Sequence, residues 1–145
     1  MAFAALLAVG SLAPSGAAAH GYHFGELEIV HPAITVPSSQ ADCTCAHLKI
    51  INHGNRTEYF LGARIGVAGR TELIQFAEFG RETSLPARVA IPPGGTLDLH
   101  RHSWCLFMSG LKSSFEADMG AYSGTLLFER AGKVEIEFMV DEAAH

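Results

Sequence analysis

The sequence predicts an all-β fold, an antiparallel sandwich or barrel, on three observations. Eight or nine short runs alternate apolar and polar residues. Turn-forming Gly, Pro, Asn and Ser recur between them at regular spacing, and no stretch sustains the 3.6-residue periodicity of a helix.

Before the first strand, residues 2–13 are apolar and uncharged, and Ala17 and Ala19 are small residues spaced as a signal peptidase reads them. Residues 1–19 are therefore expected to be a cleaved signal peptide, and residues 20–145 one mature domain. No Lys or Arg precedes the apolar run, so Met1 need not be the true start. A cut at another bond would leave His20 an ordinary residue. The run falls short of the ~20 residues of a membrane span, and Gly10, Pro14 and Gly16 interrupt it. With the cut after Ala19 the mature chain begins with histidine, whose α-amine and ring Nδ1 can chelate one metal ion together.

The first strand is expected over residues 24–30, where apolar and polar residues alternate, with Pro32 and Pro37 ending it and Ser38-Ser39-Gln40 as a loop. Residues 46–51 form the next strand, closed by the turn signal Asn52-His53-Gly54-Asn55. Residues 58–66 follow, then a turn near Gly69 and a short strand over 71–76. Residues 80–84 read as a turn. Residues 87–91 read as a strand stopped by Pro92-Pro93-Gly94-Gly95. Residues 96–100 and 104–108 read as two strands around the polar tip Arg101-His102-Ser103. After a loop at 111–120, residues 124–129 and 133–140 make a hairpin around Arg130-Ala131-Gly132. No internal repeat or linker divides the mature chain.

Composition narrows the function. Removing nineteen of the 145 residues leaves 126, enough for one core. Fifteen acidic residues against ten basic ones give a net charge of −5, and no Lys/Arg cluster occurs, which argues against nucleic acid as a partner. Eight histidines, all at or after position 20, lean towards metal binding. No acid/base carboxylate pair, nucleophile elbow, phosphate loop or dinucleotide fingerprint is present.

Three cysteines remain, Cys43, Cys45 and Cys105. Outside the cytoplasm, one of Cys43 or Cys45 can pair with Cys105, closing a loop worth roughly 4 kcal/mol. The alternatives are a Cu(I) thiolate site, since soft ligands select Cu(I), or unpaired thiols.

Several motifs, in order, resemble the periplasmic copper chaperone family PCuAC. They are His20-x-Tyr22-x-x-Gly25-x-Leu27-x-Ile29-x-His31-Pro32, Leu48-x-Ile50-x-Asn52-x-Gly54 and Glu72-Leu73, followed by Ile91-Pro92-Pro93-Gly94-Gly95-Thr96, Leu106-x-Met108-x-Gly110-Leu111-Lys112 and Leu127-Phe128-Glu129-Arg130-Ala131-Gly132. The resemblance spans nearly the whole mature chain. It implies a cupredoxin-like β-sandwich that carries copper in the periplasm, typically towards a membrane oxidase. The family's usual Cu(I) ligands, a His, a Met and a His-x-Met, do not carry over. Ile74 stands where the first His belongs, no Met lies between it and Cys105, and Cys105-Leu106-Phe107 stands where the His-x-Met belongs. Met108 is displaced by one, which on a strand turns it to the other face.

The chain is similar instead to a subclass from methane-oxidising bacteria that binds Cu(II) through a histidine brace, the amine and imidazole of an N-terminal His with the imidazole of a second. Nitrogen donors in tetragonal geometry suit Cu(II). His20 is the expected brace residue. The second histidine is expected to be His23 or His102, with His100 and His53 as further candidates. His31 and His47 read as structural, and His145 as terminal.

The expected function is Cu(II) delivery or storage in the periplasm, without catalysis, to a membrane oxidase or monooxygenase. The alternatives are a metal-free interaction module and a small oxidative copper enzyme.

Overall fold

The computed structural model describes residues 21–37, 41–77, 81–84, 88–99, 104–112 and 120–141. Among them there is no helix. Eleven strands form one curled ladder: β1 (Gly21–Phe24), β2 (Leu27–Thr35), β3 (Thr44–Asn52), β4 (Glu58–Ile65), β5 (Ala68–Ala77), β6 (Arg81–Ser84), β7 (Val89–Ile91), β8 (Thr96–Asp98), β9 (Trp104–Leu111), β10 (Ala121–Phe128) and β11 (Gly132–Asp141). The strand order is β6-β5-β9-β3-β2-β11-β10-β4-β7, with β1 on β2 and β8 on β3.

The ladder curls into a sandwich because each half has one apolar face. On β3, Thr44, Ala46, Leu48, Ile50 and Asn52 are buried while the residues between them are only half-buried. Ala46, Leu48 and Ile50 share one core with Phe60, Leu126, Phe128, Val134, Ile136 and Phe138 of β4, β10 and β11. Phe60 and Phe128 meet with ring centroids 5.5 Å apart. The all-β, cupredoxin-like sandwich expected from the sequence is the fold observed.

Several details differ from expectation; the turn expected near Gly69, for one, falls earlier, because β5 already begins at Ala68. The single strand expected over 24–30 is a hairpin, because Gly25, at φ 57°, turns the chain between Phe24 and Leu27. Pro32 does not end β2. Between Val30↔Lys49 and Ala33↔His47, two residues of β2 stand opposite the single Leu48, a bulge that needs no amide from Pro32. Residues 81–84, too polar to read as a strand, form the edge strand β6 on β5.

A further difference concerns 96–108. The two strands there are not a hairpin. Both β8 and β9 pair antiparallel with β3 and lie in line along it. Asp98 pairs with Lys49 and Leu106 with Ala46, so β8 and β9 follow one another along the same edge of β3. One pairing is also parallel: β2 meets β11 through Ala33↔Met139, Ile34↔Val140 and Thr35↔Asp141.

Candidate metal centre

The start of the described chain is held by a short edge strand. Gly21 pairs with Val30, Tyr22 with Ile29, His23 with Glu28 and Phe24 with Leu27. Tyr22 and Phe24 pack against the core, their rings stacked with centroids 6.1 Å apart. The Tyr22 hydroxyl accepts a 3.3 Å hydrogen bond from the Glu137 amide, fastening β1 to β11. Alternation then turns Gly21 and His23 outward, and both are exposed.

His23 therefore stands on the outer face, across from Glu28. The Glu28 carboxylate lies 3.1 Å from Nε2 of His53. A carboxylate in its ionised form only accepts, so Nε2 of His53 carries the hydrogen. Glu28 is thus flanked by His23 from β1 and His53 from the turn after β3.

That turn is set by Asn52, which is 2% exposed. Its side-chain amide donates to the carbonyls of Arg56 at 2.7 Å and Ile91 at 2.9 Å, and its Oδ1 accepts from the Gly54 amide at 2.9 Å. Its own amide donates to Gly95 O, and the Gly94 amide donates back to Asn52 O. The His53 amide donates to Glu26 O at 2.8 Å, tying the turn to the β1–β2 hairpin. The Asn52-x-Gly54 and Pro93-Gly94-Gly95 motifs are one hydrogen-bonded unit that presents His53 beside the β1–β2 turn and Glu28.

His20 and His102, with His100 and His145, lie outside the described residues. Of the three residues expected to bind metal, the structure thus places His23 alone. His31 sits in the β2 bulge at φ 51°, the only non-glycine with positive φ among the described residues. His47 is half-buried on the outer face of β3, with Nδ1 2.8 Å from Leu99 O. No three His, Cys, Asp or Glu side chains among the described residues form a group that could hold a metal ion.

A second feature shares the outer face. Cys45 and Cys105 form a disulfide with Cα atoms 5.5 Å apart, and Cys43 is free and half-buried. Sequence reasoning left Cys43 and Cys45 as equal partners. The register decides, since Cys45 lies inside the β3–β9 ladder, paired with Phe107, and Cys43 lies before it. Ile74 pairs with Cys105 and Glu72 with Phe107. The positions at which the resemblance places a His and a His-x-Met are thus cross-strand neighbours, filled here by Ile74 and the disulfide. Met108, fully buried, points to the core.

No family model matches the sequence, and no curated protein does. Solved structures do match. The copper-bound PCuAC domain from PmoF2 is 18% identical with a TM-score of 0.70, covering 86% of this chain and 99% of that domain. The apo PCuAC domain from PmoF1 is 23% identical with a TM-score of 0.73, covering 86% of this chain and 100% of that domain. The solution structure of the Cu(I) form of DR1885 from Deinococcus radiodurans is 19% identical with a TM-score of 0.61, covering 76% and 74%. At these identities the likeness is one of architecture: this chain folds as PCuAC domains fold.

Proposed function

We propose that this chain is a periplasmic copper carrier of the PCuAC class that holds Cu(II) at its mature N-terminus. His20 supplies its α-amine and imidazole once residues 1–19 are removed, and His23 or His102 supplies a further imidazole. The protein delivers or stores copper and does not catalyse a reaction. A membrane oxidase or monooxygenase receives the metal.

The observation that carries this reading is the overlay on whole PCuAC domains, one of them copper-bound. The filling of the family's His and His-x-Met positions by Ile74 and a disulfide leaves the soft Cu(I) ligands without replacements there. The histidines expected at the site, His20, His23 and His102, offer nitrogen donors, which suit Cu(II). The outward, exposed His23, three residues after His20, supports a site at this end.

Cu(II) EPR on the chain beginning at His20, beside the same chain with one alanine added before it, tests the reading. A type 2 signal with nitrogen hyperfine structure is expected from the first, and affinity at least tenfold lower from the second, a loss of about 1.4 kcal/mol. His23→Ala and His102→Ala in the first chain then identify the second imidazole. Equal signals from the extended and unextended chains would move the copper to internal histidines. No signal from either would remove Cu(II) from the protein's function.

A further inference from the structure

Glu28 stands between two histidines on the outer face. Its Oε1 lies 3.1 Å from Nε2 of His53, and the two side chains are 23% and 54% exposed. An ion pair so open to water adds little to stability, so folding alone does not account for it. What the pair does is fix the carboxylate. His53 is itself anchored: its amide donates to Glu26 O, and the next residue, Gly54, donates to Asn52 Oδ1. The Glu26 side chain lies so close to Gly54 that a Cβ there would collide with it. A carboxylate has about four lone-pair sites, and one imidazole N–H takes only one of them.

The other neighbour is His23, the cross-strand partner of Glu28 in the β1–β2 hairpin. Leu27 and Ile29 are buried on either side of Glu28, and His23 is exposed, so both side chains point outward. Residues directly opposed in this way carry their Cβ atoms about 4.5–5.5 Å apart. At that spacing the second oxygen of Glu28 is within reach of the His23 ring once the ring turns towards it.

We infer, on the copper-carrier reading, that Glu28 is the positioning residue of the N-terminal site. It accepts a hydrogen bond from the His23 ring nitrogen that does not bind Cu(II), and His53 holds Glu28 in place to do so. This makes His23, rather than His102, the second imidazole. A metal-bound neutral imidazole has one nitrogen on the ion and its hydrogen on the other. A carboxylate that accepts that hydrogen fixes the tautomer and the ring plane and raises the basicity of the ligating nitrogen. Its negative charge near a divalent ion adds an attraction that neutral nitrogen donors lack. Glu28 acts from outside the ligand set, in keeping with the absence among the described residues of any three His, Cys, Asp or Glu side chains grouped to hold a metal.

The test compares the chain beginning at His20 with its Glu28→Gln, His53→Ala and His23→Ala variants. Competition with a chelator reads Cu(II) affinity. Pulsed EPR reads the remote nitrogen of each bound imidazole, whose quadrupole coupling follows the hydrogen bond that its N–H makes. Glu28→Gln is expected to weaken Cu(II) about tenfold or more and to shift the remote-nitrogen coupling of one of two imidazoles. His53→Ala is expected to move both readouts the same way by less. His23→Ala is expected to remove that imidazole from the spectrum, after which Glu28→Gln has no further effect. Without copper, Glu28→Gln is expected to melt within about 2 °C of the unsubstituted chain, which separates positioning from a structural role. Unchanged affinity and coupling in Glu28→Gln would overturn the inference and leave the copper reading standing. So would two imidazoles surviving in His23→Ala. No Cu(II) signal from the unsubstituted chain would overturn the copper reading and this inference with it.

Discussion

At the scale of single residues, Asn52 does the most to shape the candidate site. Its buried carboxamide, with both donor and acceptor satisfied, joins the turn after β3 to the end of β7, and its backbone amide and carbonyl bond the turn at Gly94–Gly95. Asn52→Ala would leave the carbonyls of Arg56 and Ile91 without these donors, at a cost of roughly 2–4 kcal/mol. Asn52→Asp would do at least as much harm, because a carboxylate can accept from Gly54 but cannot donate to either carbonyl. Thermal unfolding of the two variants checks this, and a melting temperature within about 2 °C of wild type for Asn52→Ala would contradict it. His53 should also lose its fixed relation to Glu28, because the turn that carries it is built on Asn52. The Asn-x-Gly pattern was legible as a turn from sequence. Its reach to Ile91 was not, because no local signal records a contact across 39 positions.

At the scale of elements, Glu58 plays a comparable part for the β10–β11 hairpin. It opens β4, is 5% exposed, and its carboxylate accepts from the amides of Tyr59 at 2.8 Å, Arg130 at 2.9 Å and Ala131 at 3.0 Å. The Glu129 amide donates to Tyr59 O, so the hairpin tip is fastened to β4 along its length. Glu58→Gln keeps the shape but sets a side-chain NH2 against a backbone N–H. Since one amide oxygen replaces two carboxylate oxygens, a loss of about 1–3 kcal/mol is expected, read from the denaturant midpoint with unchanged m-value. The hairpin itself was readable from alternation on both sides of Arg130-Ala131-Gly132. Strand partners were harder. Alternation says which face a residue takes but not which strand lies beside it, so β8 and β9 look like the arms of a hairpin and instead both pair with β3. The edge strand β6 escaped for a different reason: Arg-Glu-Thr-Ser has no apolar face to show, which is how an edge exposed to solvent is commonly composed.

At the scale of the whole molecule, the sandwich was legible because both halves of the ladder carry their apolar residues on one face. The candidate site was legible only in part. His23 and His53 come together with Glu28 through the register of three strands and one turn, whereas the sequence offers them merely as two histidines thirty positions apart. This arrangement also decides how bound copper should alter stability. Among the described residues, β1 is a four-residue strand that pairs with β2 and is tied to β11 by a tyrosine hydroxyl. Such an edge opens locally at a free energy below that of global unfolding. A ligand stabilises every state that binds it by RT ln(1 + [L]/Kd), about 2.7 kcal/mol at a hundredfold excess over Kd. Copper held at the N-terminus must therefore suppress every opening that frees β1, local opening and global unfolding alike. Hydrogen exchange with and without Cu(II) in excess over Kd reads both. The β1 amides, which exchange by local opening, should slow by about tenfold or more, and the slowest core amides of β3 and β10, which exchange by global unfolding, should slow by a similar factor. Slowed core amides with unchanged β1 amides would place the metal on the body of the sandwich, away from the N-terminus.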